Sequence, residues 1–327
     1  MTFTFADDIL PEKEVIYMKK AYFYIDDVIW LFRDLTRKRP ESAFDNEFLA
    51  LLKEGHDKYG MKVQLNVFYR TDFFYGEDEF TLSEMTDAYK EEFTAASDWL
   101  KFGFHSKQEF PDYPYINADY DEVKTNLERT KKEVARFACE KSFAYAVVPH
   151  WLPISKDGVK ALKDGGIKLL GCSYGERTPY NGDPFSLPYG HAHRLMHNRK
   201  PETMLFTRKT PDKAIENSLS GYNHLSEDEA NAMWFTFDTK QDAETGMHFK
   251  RLTNSPCINL NDEETIIKKL TENFKKDAEY IAYGTHEQYF YSDYFNYQPD
   301  YPKKLLTAAK LCYENGYEYF FAEELVK

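Results

Sequence analysis

Four short runs place chemically capable residues directly after apolar stretches: Asp26-Asp27, His105-Ser106 with Glu109 and Asp112 beyond it, Pro149-His150-Trp151, and Thr285-His286-Glu287. Adjacent carboxylates at a buried strand end repel each other and lose hydration, so the pair calls for a cation or a shared proton. A divalent metal, Zn²⁺ or a similar ion, answers both demands. Asp27 can offer it an oxygen and His105 a nitrogen, and Asp26 is left as a base toward water. The same carboxylates could instead cap a helix over residues 28–35. Glu109 is either a further ligand or an exposed loop carboxylate. His150 contacts substrate or stacks on Trp151, and His286 works as an acid or is bonded within the core. His191, His193 and His197 read as a polar loop bordering the site, since no partner carboxylate stands in a recognisable motif with them.

These runs need a scaffold that gathers strand ends. From residue 15 to about 173, brief β-type runs (20–26, 62–68, 100–104, 143–148 and 167–170) alternate with amphipathic stretches (44–56, 82–100 and 120–138), the rhythm of βα units around a parallel sheet or barrel. On such a scaffold functional groups collect where strands end and loops begin. Residues 174–262 are rich in Pro, Gly, Asn and His, with only scattered strand candidates such as 204–207 and 233–237, and read as an insertion shaping the cleft. The rhythm returns with a helix over 262–280, a strand ending near Thr285, a helix over 303–315 closed by Gly316, and a last strand at 318–321.

Tyr24-Ile25-Asp26-Asp27 resembles the Thr-Phe-Asp-Asp motif of polysaccharide deacetylases of the NodB-homology type, carbohydrate esterase family 4. Residues 100–106 resemble that family's second motif, His-Ser/Thr-x-x-His; 146–172 are similar to its third-motif region; 281–325 are similar to its last motif. The likeness covers about 240 residues outside the insertion. It implies an α/β fold, a deacetylase-like (β/α) barrel of about seven parallel strands, built from 1–173 and 263–327 with 174–262 inserted. It also implies roles: Asp26 as catalytic base, Asp27 and His105 as metal ligands, His286 as acid toward the leaving group. Where the second histidine of motif two is expected this chain has Glu109, taken as the third ligand with Asp112, His150 and water as the other candidates, and the motif-three arginine is absent, with Val147 and Val148 before Pro149. The implied reaction is metal-assisted removal of an N- or O-acyl group from a carbohydrate. A glycoside hydrolase on the same barrel and a non-catalytic glycan-binding relative are the alternatives.

Composition narrows the partners. The 327 residues carry 42 Lys+Arg against 55 Asp+Glu, a formal charge of −13, which disfavours nucleic acid and anionic membranes. Aromatics make up 17%, more than a minimal core needs, and sugar faces stack on such rings. Tyr289 and Tyr291, which open an aromatic run at 289–301, are read with His150 and Trp151 as substrate-binding. Cys139, Cys172, Cys257 and Cys312 are scattered, as reduced thiols would be. No apolar run spans a bilayer and no signal peptide is visible, so a cytoplasmic location is expected.

Overall fold

The computed structural model describes residues 18–71, 79–109, 114–115, 118–172 and 224–326. Asp112, the histidines at 191, 193 and 197, and the strand candidate at 204–207 lie outside them. The described strands are β1 (Lys19–Val28), β2 (Val63–Phe68), β3 (Leu100–Ser106), β4 (Phe143–Ala144), β5 (Ala146–Val147), β6 (Leu169–Gly171), β7 (Lys240–Gln241), β8 (His248–Lys250), β9 (Tyr280–His286) and β10 (Tyr317–Tyr319). The helices are α1 (Trp30–Lys38), α2 (Glu47–Tyr59), α3 (Lys90–Ala95), α4 (Tyr120–Phe137), α5 (Lys156–Asp164), α6 (Glu227–Ala232), α7 (Glu263–Lys275) and α8 (Tyr301–Glu314).

This is a mixed α/β fold with mostly parallel strands. β1 is its axis, pairing with β9 along Lys20–Asp26, with β10 over Lys19–Ala21, and with β2 from Tyr24 onward. β3 and β4 extend that sheet, and β5, β6, β8 and β7 form a second, in which only β7 and β8 are antiparallel. Residues alternate between two apolar layers, as a period of two requires. Tyr22, Tyr24, Val148, Leu169, Leu252, Tyr280 and Ala282 form one cluster, whereas Phe23, Ile25, Leu65, Phe102 and Ile281 belong to the larger one that also holds the buried faces of α1 to α5. Burial on both faces explains why the strands read as near-continuous apolar runs. The inner layer is tight: a Cβ on Gly284 would come within 2.5 Å of the Tyr24 ring.

Two expectations change. The helix over 82–100 is broken, because Thr81 and Glu84 close a capping box around a 3-10 turn and the Thr86 hydroxyl takes the Ala88 amide, leaving only α3. Met85, Tyr89 and Phe93 are buried all the same. Residues 233–237 are not a strand. Their carbonyls turn toward the buried ammonium of Lys250, which donates to Met233 O (3.2 Å), Thr236 O (2.8 Å) and Asp238 O (2.9 Å) and lies 4.5 Å over the Tyr280 ring. Within 174–262, β8 pairs in parallel with β6. Just beyond it, the Asn254 and Ser255 amides donate to Ala282 O at 3.2 and 3.0 Å, which ties the second sheet to β9.

Candidate metal centre

At the end of β1 the register with β2 shifts between Ile25 and Val28, and Asp27 takes a left-handed φ of 65°. In a regular strand Asp26 and Asp27 would point to opposite faces. The bulge lets both line one cleft, and Asp tolerates positive φ better than most residues. β3 delivers His105. His150 comes from the turn after β5, where Leu152 N donates to Pro149 O at 2.7 Å and Trp151 and Leu152 have φ of 64° and 74°. Positive φ at two bulky residues is strain, which accumulates at functional sites. The His150 amide in turn donates to His105 O at 3.2 Å.

Each imidazole gives one nitrogen to a backbone carbonyl. His105 Nδ1 meets Val148 O at 2.6 Å and His150 Nε2 meets Glu109 O at 2.8 Å. A carbonyl can only accept, so in the neutral rings those nitrogens carry the protons, and lone pairs remain on His105 Nε2 and His150 Nδ1. These face each other at 3.1 Å, and Asp27 Oδ1 lies 3.2 and 3.3 Å from them. No N–H points at that oxygen, and it has no hydrogen-bond partner. Two lone pairs and an orphaned carboxylate oxygen, all buried, form a triangle whose edges match those of a tetrahedron around a metal with bonds near 2.05 Å, roughly 3.4 Å. Phe68 backs both rings, at 5.5 Å from His105 and 4.9 Å from His150. Carbonyl-anchored imidazoles before an apolar wall are what a divalent ion requires of its surroundings. Burial pushes the Asp27 carboxyl up, but hydrogen bonds and charge from the imidazoles of His105 and His150, once protonated in the absence of metal, hold it well below the usual range; burial lowers His150.

Around the triangle stand the other groups. Asp26 Oδ1 accepts from Asn66 Nδ2 at 2.7 Å, and burial raises its carboxyl pKa. His286 Nδ1 is 3.0 Å from Asn259 Oδ1 and 3.8 Å from Cys257 Sγ. Against the burial that would lower it, Cys257, Asp27 and Asp26 raise its imidazole pKa. Asp26, Cys257 and His286 line, with the triangle, a cleft of about 440 Å³ that has Trp151, Tyr289, Tyr294, Gln288 and Arg251 on its walls.

Glu109 is not among the three residues whose ligand atoms converge. It is buried, its carboxylate 3.8 Å from His150 Nε2 and its carbonyl holding that nitrogen, so it supports the place that His150 takes. Tyr291 is not among the residues of this cleft either: its ring packs 5.3 Å from Trp30 and 6.2 Å from Phe48. Tyr294 lines the cleft, 5.2 Å from Tyr289. Sequence reasoning missed Asn66, Asn259 and Gln288. Only Asn66 left a signal, as polar Gln64 and Asn66 alternate through an apolar strand.

No family model matches the chain, and no curated protein matches its sequence. Among solved structures, 4-alpha-glucanotransferase from Thermococcus litoralis aligns with 94% of this chain at 13% identity and a TM-score of 0.51. This chain spans only 40% of that protein, and the likeness is one of fold. A family 4 acetyl xylan esterase from Clostridium thermocellum in complex with a cobalt ion aligns over 67% of this chain and 93% of its own, at 14% identity and a TM-score of 0.30. A CE4 family pseudoenzyme from Bacillus anthracis aligns over 83% and 70%, at 10% identity and 0.32.

Proposed function

We propose that this protein is a metal-dependent hydrolase that removes an N- or O-acyl group from a carbohydrate, on a deacetylase-like barrel. The observation that carries the reading is the buried triangle of Asp27, His105 and His150 beside a carboxylate, Asp26, that is outside the ligand set. Two imidazole nitrogens and one carboxylate oxygen suit Zn²⁺. A divalent ion held there would polarise an acyl carbonyl and make water more acidic. Asp26 is the base that receives the water proton. His286, with Nδ1 held by Asn259, delivers a proton from Nε2 to the departing amine or alcohol. Tyr289, Tyr294 and Trp151 offer ring faces to a sugar.

The test is metal analysis of the purified protein, then acetate release from acetylated xylo- and chito-oligosaccharides before and after chelation. Stoichiometric metal, activity abolished by chelator, and loss of both in Asp27→Ala are expected. Protein that binds no metal, with acetate release indifferent to Asp27→Ala, would end the reading. New reducing ends without acetate would indicate glycosidic cleavage instead, and sugar binding unchanged by chelator a non-catalytic lectin-like role.

A further inference from the structure

Asn66 and Gln64 sit on β2, both with 0% exposure, in the layer that faces Asp26. Their hydrogen bonds form a chain with one permitted direction. Ala146 O can only accept, so the Gln64 group 2.9 Å from it is the amide nitrogen. The same nitrogen lies 2.7 Å from Asn66, which must present Oδ1 to it. That leaves Asn66 Nδ2 as the donor to Asp26 Oδ1 at 2.7 Å. Space for this arrangement exists because β3 has glycine at the position paired with Asn66: a Cβ on Gly103 would come to 2.8 Å from Asn66 Oδ1 and 2.9 Å from Gln64 Nε2.

We propose that Asn66, oriented by Gln64 in the gap left by Gly103, is the positioning residue for the Asp26 carboxylate. It pins Oδ1 and so presents Oδ2 to the cleft as the atom that takes the proton. The inference rests on the role given to Asp26 above, and goes beyond it in saying what fixes the geometry of that group. A misaligned base loses rate without losing substrate affinity, and displacement of about 1 Å can lower turnover about a hundredfold.

The experiment compares the metal-loaded parent with Asn66→Leu, Asn66→Ser, Asp26→Asn and the double variant Asp26→Asn/Asn66→Leu. Readouts are hydrolysis of 4-nitrophenyl acetate and of acetylated xylotetraose, metal content, and crystal structures. For Asn66→Leu we expect kcat to fall about ten- to a hundredfold with KM within about twofold, unchanged metal content, and an Asp26 carboxylate rotated from its parental orientation. In the Asp26→Asn background the same change should lower the residual rate no further. Asn66→Ser, whose hydroxyl is too short to reach Asp26, should reproduce the kcat loss and serves if the leucine variant does not fold. Parental kcat in the Asn66 variants with Asp26→Asn inactive, an unmoved carboxylate, lost metal, or an equal loss in the Asp26→Asn background would each overturn the proposal. Full activity of Asp26→Asn would instead overturn the role of Asp26, and this inference with it.

Discussion

His150 and Glu109 share a task that residue types alone leave open. Either could complete a site begun by Asp27 and His105, but only His150 brings a lone-pair nitrogen into the triangle, while Glu109 contributes its carbonyl. His150→Ala should therefore weaken Zn²⁺ binding at least about a hundredfold in calorimetric titration, and Glu109→Ala, which keeps the carbonyl, by about tenfold or less. Acid should empty the site, because proton and metal compete for His105 Nε2 and His150 Nδ1. Burial lowers both imidazoles, but Asp26 and Asp27 lift His105 above its usual value, so without metal His105 protonates first as the pH falls. Retained metal should fall as the pH is lowered through the range where these imidazoles protonate, which dialysis at graded pH would show. Asp26, Asp27, His105 and His286 could be singled out as candidates because each closes an apolar run. His150 was legible as a site residue, and as one of several candidates, with Glu109, Asp112 and water, for the third ligand position, among which residue types could not choose. Its place depends on the left-handed turn at Trp151 and Leu152, for which no residue pattern signals.

At the scale of elements, α1 lacks a capping side chain of its own, its N-cap being Ile29. The cap comes from Glu287, the neighbour of His286, whose carboxylate accepts from Ile29 N and Trp30 N at 2.8 Å and Leu31 N at 2.7 Å. A carboxylate at a helix N-terminus also meets the positive end of the dipole. Glu287→Ala should lower stability by about 2 kcal/mol in denaturant unfolding and weaken metal binding, since Asp27 lies just before that helix. Lys250→Met would leave three carbonyls of the 233–238 turn without their ammonium, a loss of about 2–4 kcal/mol readable in the same way. The order of strands and helices was visible from periodicity, and α4 and α8 begin within two residues of where the pattern puts them. The failures at 82–100 and 233–237 share a cause: side chains took backbone partners that a helix or ladder would have used.

At the scale of the whole molecule, the aromatic rings of the described residues serve mainly as filling. Tyr22, Tyr115, Tyr280, Tyr283 and Tyr301 are fully buried, and among the rings of 289–301 it is Tyr289 and Tyr294 that line the cleft. Composition could not separate rings that pack from rings that meet a ligand, because both demand the same flat apolar surface. No helix among the described residues is long and apolar enough to cross a membrane. The pairing of β1 with β9, Lys20 opposite Tyr280 and Asp26 opposite His286, has a kinetic consequence. A growing chain contains Asp27, His105 and His150 long before the strand that flanks β1, or the glutamate that caps α1, has been made. Contacts so distant along the chain form slowly. Ion capture should therefore be a late event: in refolding from denaturant with Zn²⁺ present, helical signal should return before metal is bound, and the delay between them times the arrival of β9 beside β1.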